Sequence, residues 1–524
     1  MSVRTRLLVG AAAVFTVGLV VATATPGPLL TYDDIAYLAM GRTIAGEGAA
    51  PMAAQPPYGV LYPTVLAPGW LGGLDGDGMI VYARVVNAGA GALMVPAGYA
   101  LIRKLFNGVR PGDAVGAAVV AAVLPAGLLT ASIVWSERLL TLLVVLALVA
   151  LAHARHAPTL RPAMLAVAAG TAMYAAHPRL GPAAVVVAVA AVMTVRDRGR
   201  RAMIGLSGAA AAGLWLVERA RSAVASAAFG DAGTYDVADL ASRRGLAEVP
   251  QMLQHGLGAA TYLVLAGTGV AAWGGVVLAR RRPEGWPTLA VGFAVLAIAA
   301  WFLTGVPRAD KWLHGRYVEV MAPVLIAVGL VHLRSLRGRV ALGLLAVLPA
   351  VAGVVAAWNG PGNTWAQSRS PVMMFGVEVS GAPYGGSVFE PGAAASVAVV
   401  VGLAAWGLAR WRIGSAAVLL GVASLWGAHS GLETLDRLFD GSAAGQVAQR
   451  LDPDEPIDEV FLDVEAVSPN LTNAIAWEVG FDRSVVASTE RTTHVLLAVG
   501  ADPPAGSALV TEFDLGTLWR LARA

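Results

Sequence analysis

Long apolar runs recur from one end of the chain to the other, from LLVGAAAVFTVGLVVATA at residues 7–24 to AAVLLGVASLW at 416–426. They are too long for barrel strands and lack strict alternation. Helices whose backbone groups are satisfied internally are the structure that such runs adopt in lipid. The pattern predicts about thirteen spans, since a membrane crossing takes roughly 20 apolar residues. They fall near 7–30, 79–102, 113–134, 138–153, 162–176, 179–195, 202–219, 257–279, 288–306, 317–333, 339–358, 393–409 and 413–428. The first run, behind MSVRTR, has the look of a signal peptide, but the spans that follow favour a retained first helix.

The loops between these runs supply an independent check. VRTR, RKLFNGVR, HARHAPTLR, RDRGRR, ARRR, RSLRGR and RWR fall on one side, and the intervening loops on the other. By the positive-inside rule the N-terminus is cytoplasmic, and the first loop and the C-terminus lie outside. After Trp426 the pattern changes: residues 430–524 hold 16 acidic residues against 6 arginines. EVFLDVEAV, SVVAST and THVLLAVG read as short strands and NLTNAIAWEVG as a helix. The expected architecture is an all-α polytopic membrane domain over 1–429 and a small extracytoplasmic α/β domain over 430–524. The first outer loop, 31–78, is long for a connector, and long structured loops tend to be functional.

Composition sharpens this picture. The chain is 57% hydrophobic and 14% charged, where soluble proteins carry about 25% charged residues. It has no cysteine, which excludes disulfides and thiolate-held metals. The basic residues sit in short loops, a mark of topology rather than of a nucleic-acid partner. Only two of the 37 basic residues are lysines, and the Arg, Ala, Val and Gly bias suits a high-GC bacterium and its plasma membrane.

Four stretches place polar chemistry at outer span ends. In TYDDIAYLAMGR, Thr31 and Asp34 have capping-box spacing, which accounts for one carboxylate but not for Asp33. A helix starting there puts Asp33 and Tyr37 on one face. In IVWSERLL, Glu137 and Arg138 sit at a tight turn that Ser136 can cap. AAHPRLGP places His177 and Arg179 at the same level. TGVPRADKWLHGRYVEVMAP collects Arg308, Lys311, His314, Arg316 and Tyr317 where the positive-inside rule disfavours them. A belt of snorkelling anchors is the plain explanation. A convergent basic group is also what a lipid phosphate requires, with Arg binding bidentately and Lys as a point charge.

Together, YDDIAYLAMGRTIAGEG after the first span, YGVLYPTVLAP before the second and the late HGRYVEVMAP resemble the GT-C glycosyltransferases. The first loop is most similar to the protein O-mannosyltransferase and aminoarabinose transferase branch. That branch often carries Asp-Glu where this chain has Asp-Asp, as some actinobacterial arabinosyltransferase-like relatives do. No WWDYG motif is present, so the resemblance does not extend to oligosaccharyl transfer onto Asn sequons.

The resemblance implies inverting transfer of a hexosyl or pentosyl group from a polyprenyl-phosphate donor to an extracytoplasmic glycan, lipid or protein. It implies Asp33 or Asp34 as the base, or as ligands, with Glu137, of a divalent metal (Mg, Mn or Ca). Two carboxylates buried side by side would raise each other's pKa. Lys311, Arg316, Arg179, His314 and Arg308 would hold the donor phosphate. Tyr37, Arg42, Tyr58, Tyr62, Glu137, His177 and Tyr317 would line the sugar and acceptor sites. A transporter or flippase of lipid-linked saccharides is the alternative, although its charges belong at mid-bilayer rather than at span ends.

Overall fold

A computed structural model describes residues 1–25, 32–48, 58–229, 245–281, 284–304, 315–359, 391–440, 443–452, 457–463, 471, 474–476, 479, 484–485 and 492–521. The apolar runs are helices. The first, α1 (Val3–Thr23), is capped by Ser2, whose hydroxyl accepts the Thr5 N–H at 3.1 Å. Two shorter helices follow inside the first loop, α2 (Tyr32–Ile44) and α3 (Leu61–Leu71). Asp75 then caps α4 (Gly76–Leu105), a central helix packed against α1, α5 (Pro111–Ala122) and α7 (Glu137–His156).

The expected span 113–134 is not one helix. Pro125 cannot continue α5, so the chain restarts as α6 (Pro125–Thr130) and then turns through residues 131–136 into α7. Helices α8 (Leu160–Ala176), α9 (Gly181–Thr194) and α10 (Arg200–Phe229) follow. The expected span 257–279 is also broken. Helices α11 (Val249–Ala266) and α12 (Val270–Arg280) meet at 109°, and Thr268 and Gly269 between them have φ of 49° and 73°.

The remaining bundle comprises α13 (Trp286–Leu303), α14 (Ala322–His332), α15 (Gly338–Trp358), α16 (Pro391–Trp411) and α17 (Ile413–Asp440). Among the described residues seven helices are long and apolar enough to cross a membrane, or eight if α11 and α12 form one broken span. Their outer faces carry large apolar side chains, such as Phe293 at 72% exposure, as lipid contact requires. The protein is thus a polytopic helical membrane protein.

Helix α17 runs straight through the expected boundary at 429/430. Beyond α18 (Ala443–Arg450) comes a five-stranded sheet of order β2-β1-β3-β5-β4. Strands β1 (Val460–Leu462), β2 (Ser484–Val485) and β3 (His494–Leu497) lie in the three stretches read as strands and pair in parallel. The antiparallel hairpin of β4 (Ala508–Phe513) and β5 (Gly516–Arg520) was not expected from the pattern. Residues 471, 474–476 and 479, within the predicted helix, are helical. The sheet does not stand apart: Val460, Leu462, Leu496 and Phe513 share one apolar cluster with Ile35 and Leu38 of α2 and Leu66 of α3.

Candidate active site

Four polar groups from distant parts of the sequence meet at one end of the bundle. Asp33 comes from the first turn of α2, where an acid also complements the helix dipole. Glu137 opens α7, Arg179 lies in the turn between α8 and α9, and Arg316 precedes α14. All four are buried. Arg316 bridges the two acids: its Nη2 pairs with Asp33 Oδ2, and its Nε donates to Glu137 Oε1 at 2.5 Å. Arg179 Nη2 donates to the same Glu137 oxygen at 3.1 Å. Two acids and two guanidinium groups therefore neutralise one another, which is how buried charges are tolerated.

Backbone contacts set this geometry. A Cβ on Gly59 would lie 2.3 Å from the carbonyl oxygens of Ala175 and Ala176, so only glycine lets Tyr58 close on the end of α8. A Cβ on Gly315 would enter the Tyr262 ring at 2.0 Å, and this close approach seats Arg316. The Arg316 guanidinium lies 3.6 Å from the Trp135 ring centroid, and the Arg179 guanidinium 4.9 Å from that of Tyr317. Stacking on aromatic faces holds both cations in place.

A tyrosine wall covers the acid side. Tyr58 donates its hydroxyl hydrogen to Asp33 Oδ1, and its ring lies 5.1 Å from Tyr37 and 5.6 Å from His177. Tyr37 stands edge-on to Tyr62 at 5.1 Å, and its hydroxyl meets Ser136 Oγ at 2.8 Å. Ser136 thus serves Tyr37 and does not cap α7 through its side chain. Burial, followed by the nearby Asp33 charge, pushes the Tyr58 phenol well above its ordinary pKa, so it stays a donor. Burial, then Arg179 and Arg316, hold His177 well below the ordinary histidine value. Its Nδ1 accepts the Arg179 N–H at 3.2 Å, which requires that nitrogen to carry no proton.

The two aspartates have different partners. Asp34 turns away from Arg316 and accepts the Val134 N–H at 2.7 Å, pinning the turn that leads to Glu137. Asn87 steadies the same turn, donating to Ile133 O at 2.9 Å while accepting from Tyr62 at 3.2 Å. Arg84 Nε donates to Ser132 O at 3.2 Å.

Of the residues singled out from sequence, the fold brings together Asp33, Tyr37, Tyr58, Tyr62, Glu137, His177, Arg179, Arg316 and Tyr317. Arg42 stands apart: it lies nine residues along α2, about 13 Å at 1.5 Å per residue, and pairs with Glu47 at 3.5 Å. Arg308, Lys311 and His314 lie outside the described residues. Trp135 is the participant that sequence reading passed over, although an aromatic residue beside Ser-Glu-Arg in a tight turn was a usable signal.

The acids do not fit a metal ligand set. Asp33 and Glu137 both spend charge on Arg316, Asp34 faces another way, and a cation would have to displace the guanidinium. Among the described residues there is no group of three His, Cys, Asp or Glu placed to hold a metal ion.

No protein-family model matches the sequence, and no curated protein does. Solved structures do match. ArnT from Cupriavidus metallidurans bound to undecaprenyl phosphate superposes with a TM-score of 0.59 and 14% identity, covering 98% of this chain and 97% of that one. The apo state of the same protein gives 0.58 and 14%, covering 98% of each. From its first helix to its C-terminal sheet, the chain has the fold of ArnT.

Proposed function

We propose that the protein is an inverting glycosyltransferase that moves a sugar from a polyprenyl-phosphate donor to an extracytoplasmic glycan, lipid or protein. The observation that carries this reading is the trio of Asp33, Arg316 and Glu137 at one end of an ArnT-like bundle. Transfer needs a base for the acceptor hydroxyl and positive charge for the departing phosphate. Asp33 would take the acceptor proton as its oxygen attacks the anomeric carbon. The bond from that carbon to the phosphate oxygen breaks, and the polyprenyl phosphate leaves with the electron pair.

Arg316 and Arg179 would receive that phosphate, completed by Lys311, His314 and Arg308. Glu137 positions both arginines through one oxygen. Tyr58 lies on Asp33, so the acceptor must displace its hydroxyl. Tyr37, Tyr62, His177 and Tyr317 would shape the sugar site. In this reading the chain sits in a bacterial plasma membrane with about thirteen spans, its N-terminus inside, and Asp33 and residues 430–524 outside. The ArnT structure with undecaprenyl phosphate supports the donor class.

The deciding experiment is transfer of radiolabelled sugar from a panel of polyprenyl-phosphate donors in membranes holding wild type or Asp33→Asn. Label that reaches an acceptor only with Asp33 present supports the assignment. Equal transfer by the variant removes Asp33 from the chemistry, and donor binding without turnover moves the transporter reading ahead.

A further inference from the structure

The opposite end of the bundle carries a feature that sugar transfer does not use. Helix α14 starts just after Arg316 and ends at His332, on the rim of a cavity of about 780 Å3. Five arginines from five separate segments line it: Arg6 in α1, Arg110 before α5, Arg281 after α12, Arg334 after α14 and Arg412 between α16 and α17. One acid, Asp113, stands among them. Among the described residues, none of the five is in an ion pair.

The positive-inside rule explains why arginines gather at this end, but not why they surround one hollow. Arg196, Arg200 and Arg201 satisfy the rule at the same end and line no part of this cavity. Five like charges around a concavity repel one another and focus a field that draws in an anion. The walls also have an apolar share. Phe106 packs between the His332 ring at 4.3 Å and the Arg281 guanidinium at 5.4 Å, and Val331 and Ile413 complete that side. Trp411 is 82% exposed at the mouth, an aromatic anchor at headgroup level. The volume lies within the usual range of small-molecule sites, about 300–1,000 Å3.

We propose that this cavity binds the phosphate headgroup of an anionic phospholipid from the leaflet on this side. Guanidinium groups from five segments grip phosphate oxygens in bidentate fashion, and Phe106, Val331 and Trp411 meet the glycerol and first acyl carbons. Such a ligand would tie the ends of α1, α5, α12, α14 and α17 together.

The test uses the full-length chain in detergent, with cardiolipin, phosphatidylglycerol, phosphatidylcholine and inorganic pyrophosphate titrated separately and followed by native mass spectrometry. Cardiolipin and phosphatidylglycerol should bind in preference to phosphatidylcholine. The Arg110→Gln/Arg334→Gln/Arg412→Gln variant should bind cardiolipin on the order of 100-fold more weakly, about fivefold for each arginine. Arg196→Gln/Arg200→Gln/Arg201→Gln removes the same charge from the same end and should leave binding unchanged. If both triple variants lose affinity alike, only the general field of this face is at work and the site is refuted. Pyrophosphate binding as tightly as cardiolipin would assign the cavity to a soluble phosphate and overturn the lipid. Should the first triple variant not fold, Arg412→Gln alone must still lose about fivefold.

Discussion

Arginine plays opposite parts at the two ends of this bundle. At one end Arg179 and Arg316 are buried, stacked on Tyr317 and Trp135, and locked to Glu137 and Asp33. At the other, Arg6, Arg110, Arg281, Arg334 and Arg412 ring a hollow with a single acid among them. The first group is electrostatically closed, so removing any member leaves an uncompensated buried charge. The second is open, so its members are individually dispensable to the fold and collectively suited to an anionic ligand. The difference lies in burial and partners, since the residue type is the same.

Breaking the closed end should cost most. Arg316→Ala takes the cation from Asp33 and leaves Glu137 to Arg179 alone, and should destabilise the protein by about 3–5 kcal/mol. Thermal unfolding in detergent reads this as a large drop in Tm, and an unchanged Tm would mean that the trio is not structural. Next comes Asp33→Asn, which keeps shape but leaves two buried guanidinium groups on Glu137 alone; it should lower sugar transfer by at least ~10²-fold, with Tm read alongside to separate lost chemistry from lost stability. Asp34→Asn sharpens the contrast, because its Oδ1 can still accept the Val134 N–H. It should retain most transfer, whereas Asp34→Ala should lose about 1–3 kcal/mol of stability by freeing that donor.

Tyr58→Phe removes one hydrogen bond to Asp33 and should change stability by about 0.5–1.5 kcal/mol. Its clearer readout is kinetic, a change in acceptor KM greater than that in kcat. The pH dependence is smaller still. His177 stays neutral in the fold while the unfolded chain takes up a proton near the ordinary value of 6.5. The unfolded state therefore binds more protons, and stability falls as pH drops below about 6.5, by at most about 1.4 kcal/mol per pH unit. His177→Gln should flatten this part of a Tm-against-pH curve. At the open end, Arg334→Gln should leave Tm where it is, and a large drop there would abolish the comparison between the two ends.

Much of the site was legible in the sequence, residue by residue. The spacing of Asp33 and Tyr37 put them on one helix face, and the fold keeps them there. Glu137, Arg179 and Arg316 stood out because charges at outer span ends are unusual. What could not be read was who pairs with whom. Glu137 and Arg316 are 179 residues apart, and Tyr37 and Ser136 are 99 apart. No local pattern encodes contacts at such separations. The same holds for Asp33 and Asp34, neighbours in sequence that a helix turns about 100° apart, toward Arg316 and Val134 respectively. The stretch 113–134 is not the single helix expected, for a local reason: hydropathy counted its apolar residues and passed over Pro125.

By itself, the sequence determined the membrane class, the positions of most helices, three of the five strands and the stretches in which charges gather. These depend on local quantities: apolar length against bilayer thickness, side-chain period, and arginine at alternate loops. Only the tertiary structure decided that Arg316 bridges two acids, that Asp34 holds a turn, that the C-terminal sheet shares a core with α2 and α3, and that five arginines from five segments surround one cavity. Each of these joins groups far apart in the chain. Packing settles them, because a buried charge or polar group takes whichever partner the closed bundle brings within reach.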